Sequence, residues 1–362
     1  MEQLFQTLYG IPLLGLVFQL GGYLVDRLPS IAPIVLGLAA PIALGALCGV
    51  MNERSGVVNI GIEGIMLIAA FVAFVAGAFA ADAFPAEGSD VFGVTPALLI
   101  GVAAAVISAM LVSLLHAWLS ISIRADQIIS GTIINIAALG LTGYLNRLII
   151  SANPRAGAGT FKSFNPPDAL VDLPIIGWVL NMFLDQGPIA MIVIVLVIVL
   201  QIMLFRSRWG LRTRAVGEHP KAADTVGIDV IALRYRNVII GGAFAGLAGA
   251  YLTLEATSSF QNGMTSGRGF IALAAVIFGR WTPIGSFGAA LMFTAAEALG
   301  VAIRFRPPDG DLAALGDVMT AIPNQVYGAL PYIITIIILA GVVGRSIPPA
   351  AVGQPYYKES RA

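Results

Sequence analysis

Cysteine is almost absent from this chain: Cys48 is the only one in 362 residues, and it lies inside an apolar run. No disulfide within the chain and no cysteine-rich metal site can therefore be built. Charge is scarce as well. Asp, Glu, Lys and Arg make up 11% of the residues, 20 basic against 20 acidic, and there is no basic arm for nucleic acid. The only lysines, Lys162, Lys221 and Lys358, follow Phe161, Pro220 and Tyr357. None completes the Gly-Lys-Ser/Thr of a phosphate-binding loop, so a standard ATP-hydrolysing site is excluded. Neither His-Glu-x-x-His nor Gly-x-Ser-x-Gly occurs, and the two histidines, His116 and His219, are far apart. No catalytic residue, metal site or cofactor is expected. A cleavable leader is not expected either: residues 11–25 are apolar, but no basic region precedes them and no small-x-small site follows.

Hydrophobic residues account for 58% of the chain, and the mean hydropathy is +0.89. About 20 residues at roughly 1.5 Å each cross a hydrocarbon core of about 30 Å. Backbone polar groups in lipid must be satisfied within the segment, so the apolar runs imply helices. Ten such segments can be counted: 11–25, 31–50, 57–80, 97–119, 128–150, 188–205, 237–256, 264–280, 284–303 and 324–343. The first and eighth are shorter than a full span. With both termini cytoplasmic, thirteen of the twenty Lys and Arg fall on the cytoplasmic side. The acidic loop 81–96 and the long loop 151–187 fall outside, as expected for a multi-pass protein of a bacterial inner membrane. The long loop is broken by Asn153-Pro154, Asn165-Pro166-Pro167 and Leu173-Pro174, with a short helix expected at 175–184. It reads either as a passive cover or as a docking surface for an extracytoplasmic binding protein.

Three stretches depart from the apolar background. Leu204 to Arg236 holds seven of the twenty basic residues. Within it, GEHPKAADTVGI predicts a helix of about two turns, with Pro220 in the first turn and Gly227 ending it. Ala222, Ala223 and Val226 are expected on one small-residue face, suited to a groove on a soluble partner. The plainer reading is a positive-inside loop. In Cys48–Phe71, glycines 56, 61 and 64 alternate with Asn52, Glu53, Arg54, Asn59 and Glu63. Asn59 and Glu63 are four apart, the spacing of one helix face, and an ionisable group at membrane depth marks a cavity or a partner. The alternative makes Glu53 and Arg54 an exposed turn with Glu63 as their counter-charge. Sequence alone does not set the depth of Asn52–Gly56. The third stretch, Gln261–Leu291, is divided by seven glycines and prolines into short pieces. Elsewhere, Thr132 and Asn135 are expected on one pathway-facing side of the fifth segment, or as glue between helices. Gly242, Gly246 and Gly249 read as close helix packing, and His116 as a hydrogen-bonded histidine. Glu255 and Glu297 have no assignable role.

The order of NERSGVVNIGIEG, ADQIISGTIIN, GEHPKAADTVGI and the Gly-rich run, across roughly Ile31 to Val343, resembles permeases of ABC importers in the branched-chain amino acid, simple sugar and nucleoside group. The resemblance implies an all-α polytopic fold of the type II importer kind, with broken or half helices. Segments 2–5 match 7–10 as an inverted internal repeat. Residues 1–30 lie outside the resemblance, with 11–25 as an extra transmembrane helix; 31–344 form the transmembrane domain and 345–362 a cytoplasmic tail. Loop 206–236 becomes the ATPase-coupling loop, with Gly217, Glu218, His219, Pro220, Ala222, Ala223, Val226 and Gly227 as contact residues. Asn59, Glu63, Thr132, Asn135, Gly267, Gly269 and Phe270 are the candidate substrate pathway. Expected partners are an ATPase subunit carrying ATP and Mg, a second related permease chain in a heterodimer, a substrate-binding lipoprotein and membrane lipid. Nucleosides or purines are the favoured cargo. The alternatives are simple sugars or branched-chain amino acids in the same machine, or an ion-coupled secondary transporter with Glu63 as the coupling acid.

Overall fold

The computed structural model describes residues 12–84, 92–151, 157–171, 173, 176–305, 313–323, 326, 329, 333 and 346–358. Among them every regular element is helical. The helices are α1 (Pro12–Glu53), α2 (Ile62–Ala83), α3 (Pro96–Ala117), α4 (Gln127–Leu145), α5 (Asp168–Val171), α6 (Ile176–Leu184), α7 (Pro188–Arg206), α8 (Arg208–Glu218), α9 (Pro220–Thr225), α10 (Val230–Tyr251), α11 (Arg268–Phe278), α12 (Pro283–Phe305) and α13 (Ala313–Ala321). Wider π-helical turns extend α3 to Ser122, α4 to Ser151 and α10 to Thr257.

Six helices among the described residues are long and apolar enough to cross a membrane: 31–53, 62–83, 96–122, 127–151, 188–206 and 230–257. They correspond to the second through seventh apolar segments. The other four of the ten fare differently. Residues 11–25 are not a separate segment, because α1 continues from Pro12 to Glu53 with no turn at Asp26-Arg27. The eighth segment is only the 11-residue α11, because Gly263 and Gly267 adopt left-handed turns before it and Gly279 closes it. The ninth forms the 23-residue α12. Most of 324–343 lies outside the described residues.

The chain divides into two compact units. One comprises 1–38, 165–186 and 291–342. In it Ile31 and Val35 pack with Ala298, Leu38, Met182 and Leu291. Side chains also take up helix carbonyls there: Gln186 donates to Pro33 O at 2.8 Å and Thr294 to Val35 O at 3.1 Å.

The second unit comprises 39–164, 187–290 and 343–362. Here α10 lies along α2 and α3, and α4 along α2. Small residues allow these approaches. A side-chain carbon at Gly246 would meet the Val106 backbone at 2.7 Å, and one at Gly249 would meet Ala69 and Ala70 at 2.6 Å. The last turns of α1 approach α11 in the same way, where Gly49 faces Val276 and Gly45 faces Ala272. Helix starts carry ordinary caps where the sequence offers them. Asp126 accepts from the Ile128 and Ile129 amides, and Asp229 from Ala232.

Candidate functional site

Between α1 and α2 the chain leaves the helix. Arg54–Gly56 turns, and Val57 to Asn59 is irregular before α2 starts at Ile62. Asn52, Ser55, Val57 and Asn59 are all fully buried. A helix interrupted among apolar neighbours leaves amides and carbonyls that cost several kcal/mol each if unpaired. Polar side chains from α3 and α4 supply the partners. The Val58 amide donates to Gln127 Oε1 at 2.7 Å, and the Val58 carbonyl meets His116 Nε2 at 2.9 Å. Asn135 donates to the Ile60 carbonyl at 3.0 Å and accepts from the Gly64 amide at 2.7 Å. Since a carbonyl only accepts, His116 carries a proton on Nε2, and its Nδ1 lies 3.1 Å from the Ser130 hydroxyl. The polar residues of the apolar spans thus serve a broken helix.

Glu63, in the first turn of α2, reaches the other broken stretch. Its two carboxylate oxygens accept from the Gly267 amide at 2.8 Å and the Gly269 amide at 2.6 Å. These belong to the first turn of α11, whose cap residue is Gly267. Glycine has no side chain to cap its own helix, so the acid comes from another, where the helix dipole also favours a negative charge. Gly269 must be glycine for this contact, because a side-chain carbon there would lie 2.6 Å from Glu63 Cα. Glu255 does the same for α7. That helix begins Gly187-Pro188, again with no capping side chain, and Glu255 accepts from the Ile189 and Ala190 amides at 2.7 and 3.0 Å.

Several readings of the sequence change at this point. Asn59 and Glu63 do not share a helix face, because Asn59 precedes the helix and turns on itself to accept from the Gly61 amide at 3.0 Å. Glu63 is not a counter-charge to Glu53 and Arg54, and those two do not form an exposed turn. Glu53 is 8% exposed and accepts from the Trp281 indole N–H, while Arg54 donates to the Trp281 and Arg280 carbonyls at 2.7 and 3.1 Å. Burial pushes the Arg54 guanidinium below its ordinary pKa, and Glu218 opposes that shift. Arg280 and Trp281 are non-glycine residues with positive φ, 52° and 53°, held in the turn after α11 by these contacts. Thr132 and Asn135 part company. Three positions on a helix leave about 60° between side chains, so Asn135 meets α2 while Thr132 is exposed and bonds back to Ile128 O at 2.8 Å. Phe270, on α11, is 48% exposed.

The basic stretch forms α8 and α9. Ser207 caps α8 through the Gly210 amide, and Gly217 in its last turn lies against the Arg54 backbone. Pro220 is the first residue of α9, and Gly227 follows it with φ of 84°, a left-handed conformation that costs other residues about 1–2 kcal/mol. The single small-residue face is not formed. Ala222 and Val226, four apart, are exposed, whereas Ala223 is 3% exposed and packs with Val216, Val230 and Tyr356. One residue advances a helix by about 100°, so Ala223 turns inward. Glu218 and His219 join the two helices, and Glu218 accepts from the Ala350 amide at 3.1 Å. A cleft of about 550 Å³ lies between α9 and residues 350–357, walled by Pro220, Lys221 and Ala222 on one side and Gln354, Pro355 and Tyr357 on the other. Among the described residues no cluster of His, Cys, Asp and Glu could hold a metal ion.

The match to known proteins covers both broken stretches and the α8–α9 pair. A family model described as branched-chain amino acid transport system / permease component matches residues 31–339. The chain belongs to that family. It is therefore a transport-system permease component and a multi-pass membrane protein. It is 40% identical over 340 residues to the guanosine ABC transporter permease protein NupQ of Bacillus subtilis (strain 168), covering 93% of this chain and 99% of that one. It is 36% identical to the nucleoside ABC transporter permease protein NupC of Lactococcus lactis subsp. cremoris, over 92% and 98%. To the putative glucose ABC transporter permease protein TsgC13 of Haloferax volcanii it is 32% identical, over 89% and 95%. No solved structure matches the chain.

Glu255, Gln127, His116 and the Glu53–Trp281 pair were missing from the site residues read off the sequence. The signal for each was a polar or ionisable side chain in an apolar span; what the sequence withheld was the partner.

Proposed function

We propose that this chain is the membrane-spanning subunit of an ABC importer that moves nucleosides inward across the bacterial plasma membrane. ATP is hydrolysed on a separate subunit. The observation that carries the reading is the near full-length likeness to permeases named for guanosine and nucleosides, at 40% and 36% identity. The 32% likeness to a glucose permease keeps sugars second. The fold proposed is of the type II importer kind, with inverted halves whose broken openings precede α2 and α11. The junction of those two helices through Glu63, with Asn59, Asn135, Gly267 and Gly269 around it and Thr132 and Phe270 on exposed faces, is the proposed pathway element. In the same reading α9 is the coupling helix, presenting Ala222 and Val226 to the ATPase, with Gly217, Glu218, His219, Pro220, Ala223 and Gly227 setting its position. Both termini are cytoplasmic, loop 151–187 is outside and meets a binding lipoprotein, and a second related permease completes the pore. A proton-coupled role for Glu63 has little to support it, since both carboxylate oxygens are taken by backbone amides.

A mild-detergent pull-down of the tagged chain tests the proposal. A P-loop ATPase and a sister permease are expected with it, and a co-purifying binding protein should bind guanosine or another nucleoside in calorimetry. Recovery of the chain alone, or a binding protein that takes glucose and no nucleoside, rejects the machine or the cargo respectively.

A further inference from the structure

The C-terminal residues 346–358 lie beyond residue 339, where the family match ends, and the sequence offered only a tail there. In the structure they run as a strap across several elements of the second unit. The Ser346 hydroxyl donates to Ile277 O at 2.7 Å, in the last turn of α11. The Ala350 amide donates to the Glu218 carboxylate, and the Ala351 amide to Gly217 O at 2.9 Å, both at the end of α8. The Gly353 amide donates to Gly56 O at 3.2 Å, and Gln354 O accepts from Arg234 Nη1 at 3.0 Å. Arg234, 1% exposed, also donates to Ser55 O at 3.0 Å. Tyr356 is 7% exposed and packs with Ala223, Val216 and Val230, while Tyr357 lies under Arg124 at 4.3 Å.

These ties are not scattered. Along its length the strap meets both sets of elements in turn: Tyr356 packs on Ala223 of α9, and residues 350 and 351 bond the α8–α9 corner at Glu218 and Gly217. Between those contacts Gly353 bonds the turn at Gly56, which opens the irregular run to α2, and before them Ser346 bonds the last turn of α11. Glu63 joins the start of α2, reached from the Gly56 turn through residues 57–61, to the opposite, first turn of α11. Gly56 leaves little slack: its φ is 89°, and a side-chain carbon there would lie 2.6 Å from the Arg234 guanidinium. Buried hydrogen-bonded backbone and a packed ring carry displacement because each has few alternative arrangements.

We propose that residues 346–357 are a transmission strap, which passes displacement of α9 to the Gly56 turn and the end of α11, and so to the Glu63 junction. The proposal rests on the reading of α9 as the coupling helix. Its positioning residues are Tyr356, Ala351 and Arg234.

The test uses proteoliposomes holding the full importer, and measures ATP hydrolysed per nucleoside imported. Two changes are compared with the native chain: truncation after Arg345, and Tyr356→Ala in the full-length chain. Both should keep the ATPase bound and hydrolysing, while the ratio rises about tenfold, within the roughly 5–150-fold typical of coupling between sites. Tyr356→Phe, which keeps the ring packed on Ala223, should stay closer to the native ratio than Tyr356→Ala does. A ratio within about twofold of native in Tyr356→Ala overturns the proposal, since a strap that transmits force cannot be loosened without a larger effect. Loss of the bound ATPase in that variant also overturns it, and makes the strap a docking element instead. The reading of α9 fails separately, by normal transport and ATPase retention in Ala222→Trp.

Discussion

At the scale of single residues, the telling pattern is the pair of acids that cap helices other than their own. Gly187-Pro188 and Gly267 begin α7 and α11 without a capping side chain, and Glu255 and Glu63 supply the missing acceptors. Replacing Glu63 with glutamine leaves one oxygen for two amides. An amide left unpaired in a buried site costs about 1–3 kcal/mol, so Glu63→Gln should lower the thermal unfolding midpoint measured in detergent. Uptake by the variant should fall yet stay dependent on ATP, and a pH gradient should not drive it. Uptake driven by a pH gradient in the native chain and lost in Glu63→Gln would restore the proton-coupled alternative.

Among elements, α9 is the one whose orientation matters most. The structure separates Ala222, exposed, from Ala223, packed on Val216, Val230 and Tyr356. Tryptophan at 222 should leave the chain monodisperse in detergent, with an unchanged unfolding midpoint and no ATPase retained in the pull-down. Tryptophan at 223 has no space to enter. Overpacking a filled site costs about 1–3 kcal/mol, so Ala223→Trp should lower the midpoint as well as lose the ATPase. Equal midpoints for the two variants would mean that α9 is not seated as described. The segment Val57–Asn59 shows the same principle in reverse. It forms no helix, and Val58 is held by Gln127 and His116 while Asn135 holds the next carbonyl, at Ile60, so its stability belongs to its surroundings.

For the whole molecule, membership of the permease family and the absence of a phosphate-binding loop lead to one expectation. The purified chain by itself, in liposomes under proton or sodium gradients, should move no nucleoside. Addition of the co-purifying subunits with ATP should start uptake. Gradient-driven transport by the chain alone would reject the importer reading.

Composition and hydropathy were enough to show a helical membrane protein, because crossing lipid demands long apolar helices whatever their packing. Local chemistry placed the short helix at α9, since Pro220 and Gly227 act through the backbone alone. It also marked Cys48–Phe71 and Gln261–Leu291 as broken, through their glycines. What the sequence could not contain was which groups meet. Asn59 and Glu63 stand at helical spacing, but the helix begins only at Ile62, after a run whose backbone groups find partners on α3 and α4. Glu63 is separated by about two hundred residues from the amides it holds. Glu255, without a role in one dimension, caps α7 in three. Spacing along a chain reports the face of one helix; a hydrogen bond between helices depends on where each begins and how closely its glycines let it approach. Tertiary structure alone decided that.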